Sequence, residues 1–170
     1  MLEEYVDEYL ASPDACNLCL EELPKAEDLQ SAIRNAALSV DRFGRRMSHQ
    51  RRVPSAILRN VAAQLLEREH EVSAAKAFRD LHGQVERICG PIRGAGELLT
   101  YDVAFRIGSF LGIEPDLVYL HAGTRKGARL LGVRGKVARV DAFPHALRRL
   151  EPWQLEDFLC RYAKKFVLDR

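Results

Sequence analysis

The stretch "GPIRGAGELLTYDVAFRIG", residues 90–108, decides how this chain reads. Pro91 stops a preceding helix, because proline has no amide hydrogen and its ring clashes with the turn before it. Gly94 and Gly96 stand one residue apart, where close backbone approach and positive φ carry no side-chain penalty. From Glu97 onward apolar residues recur at helical spacing, which predicts Leu99, Val103, Ile107, Phe110 and Leu111 on an inward face. The stretch therefore reads as a helix, a tight glycine bend and a second helix, with Ile92 as an apolar plug between the two. The first N–H groups of the second helix have no partner inside it. With no side chains at Gly94 and Gly96 to cover them, these donors are open to an anion, which the positive end of the helix dipole also favours. A dinucleotide-binding glycine loop is excluded, since no strand precedes the bend and no third glycine follows.

Outward from the bend the pattern stays helical, with short Gly/Pro joints. Residues 2–11 read as an acidic helix and 13–22 as a short one that ends before Pro24. Residues 26–39 read as another, with Leu29, Ile33, Ala37 and Leu38 on one face. Pro54 opens a long helix whose buried stripe is Leu58, Val61, Ala62, Leu65 and Leu66. Residues 72–88 read as a helix disturbed at Gly83, Pro115 opens a further one, and a last helix starts at Pro152 with Leu155, Phe158, Leu159, Tyr162 and Phe166 inward. Residues 41–54, "DRFGRRMSHQRRVP", read as a basic connection. The expectation is an all-α fold, a helical bundle of two small lobes within a single domain spanning 1–170.

The net charge of +2 hides an asymmetry. Residues 1–30 hold nine acids and one base, a sum of −8, so the other 140 residues sum to +10. Residues 121–140 carry Arg125, Lys126, Arg129, Arg134, Lys136 and Arg139 without an acid, and residues 42–52 carry Arg42, Arg45, Arg46, Arg51 and Arg52. Read as lacking compensating carboxylates nearby, both segments suit phosphate, whose binding releases counterions. His49 and Gln50 add polar probes. The alternative pairs these arginines with the acidic N-terminal helix. No apolar run reaches the ~20 residues that span a bilayer, and the N-terminus lacks a signal-peptide pattern, so a cytoplasmic protein with no membrane partner is expected. Cys16 and Cys19 form a lone C-x-x-C; with no second pair, buried thiols are expected here, and no metal site. Tyr101, Tyr119 and Phe143 suit core packing first, and stacking on an extruded base second.

Ile92, Gly94, Ala95 and Gly96, followed by "LHAGTRKGARLLGV" at residues 120–133, resemble the helix-hairpin-helix base-excision DNA glycosylase superfamily over about residues 88–133. Two positions depart from the family pattern: its usual proline is Arg93 here, and its small residue four after the second glycine is Thr100. The resemblance implies a helix-hairpin-helix region at about 85–133 that holds a DNA backbone phosphate. The donors would be main-chain N–H groups around Gly94, Gly96 and Leu98 beside Arg93, often with a monovalent cation at the bend. Arg45, Arg46, Arg51, Arg52, Arg125, Lys126 and Arg129 would add backbone contacts. Anchored on "ARLLG", His121 falls where the family has its catalytic aspartate. Neutral imidazole supplies no negative charge there, although it can act as a base. Asp102, Asp116 and Asp141 are substitutes out of register, and Glu97–Phe110 lacks the lysine that the lyase subgroup needs. Two readings result. One is a DNA-binding protein, divergent and glycosylase-like, with His121, Asp116 and Asp102 as catalytic candidates. The other is a non-enzymatic interaction or regulatory module that meets a protein partner through the acidic N-terminal helix.

Overall fold

A computed structural model of the chain describes residues 2–12 and 24–168. The helix expected over 13–22, with Cys16 and Cys19, lies outside the described residues. The helices are, in chain order, α1 (Leu2–Ala11), α2 (Leu29–Leu38), α3 (Ser55–Glu67), α4 (Glu69–Ser73), α5 (Phe78–Cys89), α6 (Glu97–Leu111), α7 (Ala122–Leu130), α8 (Pro152–Tyr162) and α9 (Lys165–Leu168). Between them lies a two-stranded antiparallel ribbon, β1 (Val118–Tyr119) with β2 (Val137–Ala138), in which Val118 faces Ala138 and Tyr119 faces Val137. The fold is all-α. No helix among the described residues is long and apolar enough to cross a membrane.

The chain divides into two compact units: one unites residues 2–12 with 115–168, and the other holds residues 24–114. In the second unit α6 packs against α5 and α2, and α2 packs against α3. Residues 99–101 and 103–108 of α6 are all buried, including Thr100 and Arg106, so α6 is the central helix rather than a surface one. Arg106 is tolerated inside because its guanidinium is engaged: Nη1 donates to the Ala36 carbonyl at 3.2 Å and to Ser39 Oγ at 2.9 Å, and Nη2 to Asp102 at 3.4 Å. Ile33, Ala37, Leu58, Val61, Ala62 and Leu65 are buried as their spacing predicts. Asp28 starts α2 with a capping box: its carboxylate accepts from the Ser31 N–H at 2.7 Å while Ser31 Oγ accepts from the Asp28 N–H at 3.1 Å.

In the first unit α8 packs against α7, β1 and α1. Its core combines Val6 and Tyr9 with Val118, Leu120, Ala128, Phe143, Leu147, Leu155, Phe158 and Leu159. A Cβ on Gly127 would stand 2.5 Å from the Leu159 carbonyl oxygen, so glycine sets how closely α7 approaches α8. Tyr9 donates its hydroxyl to Asp157 at 3.1 Å and ties α1 to α8.

Three expectations change and one holds. Pro115 opens no helix; Val118 is β-branched and Tyr119 aromatic, and the run through Leu120 pairs with residues 136–138 instead, Leu120 N–H donating to the Lys136 carbonyl at 2.7 Å. Residues 72–88 are not one helix: the chain breaks at 74–77, between α4 and α5, and Gly83 sits undisturbed inside α5. The alanines there have high helix propensity, and burial of Ala75 in the break and of Phe78 at the start of α5 overrides it. Phe110, expected inward, is 42% exposed near the end of α6. Tyr101, Tyr119 and Phe143 are buried, the first of the two uses considered for them.

Candidate nucleic-acid interface

The bend between α5 and α6 is a built turn. Cys89 ends α5 with a buried thiol that burial pushes up to about 12 in pKa, and its carbonyl accepts the Ile92 N–H at 2.9 Å. The Ile92 carbonyl then accepts the Ala95 N–H at 2.9 Å, closing a four-residue turn over Arg93 and Gly94. Gly94 has a φ of +96° and Arg93 a negative one, the combination of a type II turn. Such turns favour proline at the second position, which accounts physically for the proline that the resembling family carries where this chain has Arg93. Gly94 is fixed twice over, since a Cβ there would also stand 2.5 Å from Ile57 Cδ1 of α3.

Gly96 differs. It precedes α6 with φ −81° and ψ 172°, ordinary extended backbone, and a Cβ on it would meet nothing within 4 Å. It is exposed, and α6 has no side-chain cap. The first backbone bond into α6 is Thr100 N–H to the Gly96 carbonyl at 3.0 Å, and among the described residues no acceptor takes the N–H of Gly94, Gly96 or Leu98. Glu97 contributes an exposed carboxylate to the first turn. A monovalent cation, as the resemblance implies, requires oxygen donors. The Pro91 and Arg93 carbonyls of this turn accept no hydrogen bond among the described residues, so the turn has oxygens that fit such an ion and could add positive charge beside a phosphate.

Beside the turn runs a groove of about 800 Å³, lined from α3 and its end by Ala56, Ile57, Asn60, Gln64 and Arg68, and from α5 and the turn by Arg87, Ile88, Pro91, Ile92 and Arg93. No carboxylate lines it. Sequence reading found Ile92 and Arg93 and missed the rest, because α3 reaches this wall only through the fold; the polar positions Asn60 and Gln64, one turn apart beside an apolar stripe, were the available signal.

The basic segments divide into engaged and unengaged cations. Asp41 compensates Arg45, at 2.9 Å to Nε, contrary to the reading that no carboxylate was near. Asp41 also accepts the Phe43 and Arg45 N–H groups at 2.9 and 2.8 Å, and Gly44 at φ +74° closes the loop. Burial would raise the Asp41 carboxyl, but these N–H groups and the Arg45 guanidinium together hold it below the usual carboxylate range. The loop holds out Phe43, 66% exposed, with the Arg42 and Arg45 guanidinium carbons 4.9 and 5.0 Å from its ring centre. Arg46 staples the following turn to the Val53 carbonyl and Ser55 Oγ, each at 3.0 Å. Arg125 donates to the Leu120 carbonyl at 2.7 Å, and Arg139 pairs with Asp141 at 2.8 Å. Arg51, Arg52, Arg93, Lys126, Arg129, Arg134 and Lys136 are exposed, and no side-chain partner takes their charge among the described residues.

The catalytic candidates are distributed. Asp102, in the second unit, accepts from Gln50 Nε2 and Arg106, a clamp between α6 and the loop before α3. His121 and Asp116 belong to the first unit. His121 precedes α7 and is 5% exposed, with Nε2 hydrogen-bonded to buried Glu156 of α8. Asp116 is exposed. The acidic face of α1 is partly engaged: Asp7 pairs with Arg149 and Glu8 with Lys165, each at 2.8 Å. These are not the arginines that the sequence offered as its partners.

The chain matches no family model, and no curated protein or solved structure is significantly similar to it.

Proposed function

We propose that the protein binds duplex DNA through its sugar-phosphate backbone. A phosphate oxygen accepts the N–H groups of Gly94, Gly96 and Leu98 at the start of α6, beside the Arg93 guanidinium. Arg51 and Arg52 in the same unit add contacts that release counterions. The observation that carries the reading is Gly96. The fold does not need glycine there: φ is ordinary and there is room for a side chain. A serine or aspartate would cap α6 and stabilise it by a few tenths of a kcal/mol or more. Glycine instead leaves the donors uncovered. The reading stops at binding, because His121 is buried against Glu156 and Asp102 is engaged by Gln50 and Arg106.

The test separates stability from binding. Gly96→Asp supplies a cap and a favourable charge at the positive end of the helix, so the melting temperature should hold or rise. Its carboxylate occupies the phosphate position and should lower duplex affinity about tenfold. Wild-type affinity for a short duplex, read by fluorescence anisotropy, should fall ~500-fold between 50 and 200 mM salt if about five phosphates are contacted. An interaction module for a protein partner predicts no response to either change, and unchanged duplex affinity in Gly96→Asp sinks the phosphate reading.

A further inference from the structure

The groove beside the turn has the makings of a second subsite. Its floor is apolar, made by Ile57, Ile88, Pro91 and Ile92, and its rim is amide and guanidinium: Asn60, Gln64, Arg68, Arg87 and Arg93. The rim is partly pre-set. Gln64 Oε1 accepts from Arg68 Nη1 at 2.9 Å, and Glu71 holds the Arg87 guanidinium. The Asn60 amide has no partner among the described residues and is exposed on the wall. Ile57, in the floor, lies against the underside of Gly94, so the groove and the open N–H groups share one piece of backbone. A phosphate held on the turn therefore leaves its neighbouring sugar and base beside the groove mouth.

We propose that this groove receives one unpaired nucleotide of a DNA strand, its base on the isoleucine floor and its polar edge toward the Asn60 and Gln64 amides, next to the phosphate on the turn. A volume of about 800 Å³ lies within the range of small-ligand sites. Arg68 pairs with Glu67 and Arg87 with Glu71, so Arg93, without a carboxylate partner among the described residues, is the cation that matches a phosphodiester, and the apolar floor matches the face of a base, which any of the four presents. Carboxamides are the side chains that meet a base edge with a donor and an acceptor together. This subsite rests on the reading of the turn as a phosphate site, and it makes the preferred ligand a duplex with an unpaired nucleotide rather than a continuous one.

The experiment compares two probes on the full chain by fluorescence anisotropy: a blunt short duplex and the same duplex with a two-nucleotide single-stranded tail. Wild type should bind the tailed probe about tenfold more tightly, the scale expected for stacking one base. Asn60→Trp fills the groove from an exposed position on α3; it should bind both probes with the wild-type affinity for the blunt one, and an unchanged melt confirms the fold. Gly96→Asp should weaken both probes by the same factor. Equal affinity of wild type for the two probes overturns the subsite and leaves the phosphate reading standing, as does a tail preference that survives Asn60→Trp. Gly96→Asp without effect overturns the phosphate reading instead, and the subsite with it. Displacement of the tailed probe by poly-glutamate as readily as by a single strand of equal charge also overturns the subsite, because the groove then distinguishes only charge.

Discussion

Two helix starts in this molecule, α6 and α7, lack side-chain caps and differ in nearly everything else. At α6 the preceding residue is exposed Gly96, and the N–H groups of Gly96 and Leu98 meet no acceptor among the described residues. At α7 the preceding residue is His121, buried, its ring hydrogen-bonded to Glu156 of the neighbouring helix. The first arrangement costs the fold something it could recover with a single polar side chain, and gives it an open anion site. The second joins two helices from inside through the buried ring at its cap position, although Ala122 and Gly123 after it are exposed. An uncapped helix start is thus not informative alone; exposure and the chemistry of the cap position decide whether it serves ligand or core.

The largest effect should come from breaking the closed start. His121→Ala takes one hydrogen bond from buried Glu156 and removes the buried ring between α7 and α8, which should lower stability by about 2 kcal/mol in urea unfolding. Duplex affinity, measured well below the unfolding midpoint, should not move, because the proposed grip is at the other helix start. A loss under about 1 kcal/mol would mean that the ring hydrogen bond does not hold the two helices together. Next comes Gly94→Ala. A positive φ and the approach of Ile57 both oppose a side chain there, so a loss of about 2 kcal/mol is expected. The same change at Gly96 should cost almost nothing, and a melt of the two variants side by side reads the contrast directly.

The sequence carried this contrast only in part. The glycine bend and the proline at the start of α8 are legible because a few adjacent residues determine them. The break at 74–77 is set by what lies across the fold, against local propensity, and the β1–β2 pairing by a partner that Val118 and Tyr119 meet only in the fold. Charge was legible and its use was not: Arg45, Arg46 and Arg125 look as available as Arg51 or Lys126 until Asp41, the Val53 carbonyl and the Leu120 carbonyl are found beside them. The groove wall was invisible for the same reason, since Asn60 and Arg93 meet only through the packing of α3 near the turn.

Asp41 offers a pH-dependent check on the division between engaged and unengaged cations. Its carboxyl is held below its ordinary range in the folded loop. The unfolded group titrates near roughly 3.9, so the loop has its full support above that pH and loses it as pH falls through the lowered folded value. Amide shifts of Phe43 and Gly44 should therefore stay constant from neutral pH down to the ordinary aspartate range and change only below it. A transition above that range would mean that Arg45 does not hold the carboxylate and remains available to a ligand.

The smallest effect tests the open start by its own blemish. Glu97 stands in the first turn of α6, exposed, one residue past Gly96. For the isolated helix this charge is favourable, because it faces the positive end of the dipole. For a phosphate bound to the same N–H groups it is a like charge a short distance away, screened by water and salt. The two roles pull in opposite directions, so Glu97→Gln should lower the melting temperature slightly and tighten duplex binding by about twofold at low salt. The gain should shrink as salt rises, whereas a change in shape or packing would persist. If the variant binds more weakly at every salt concentration, the DNA backbone does not lie at the start of α6, and the unmet N–H groups there answer to water alone.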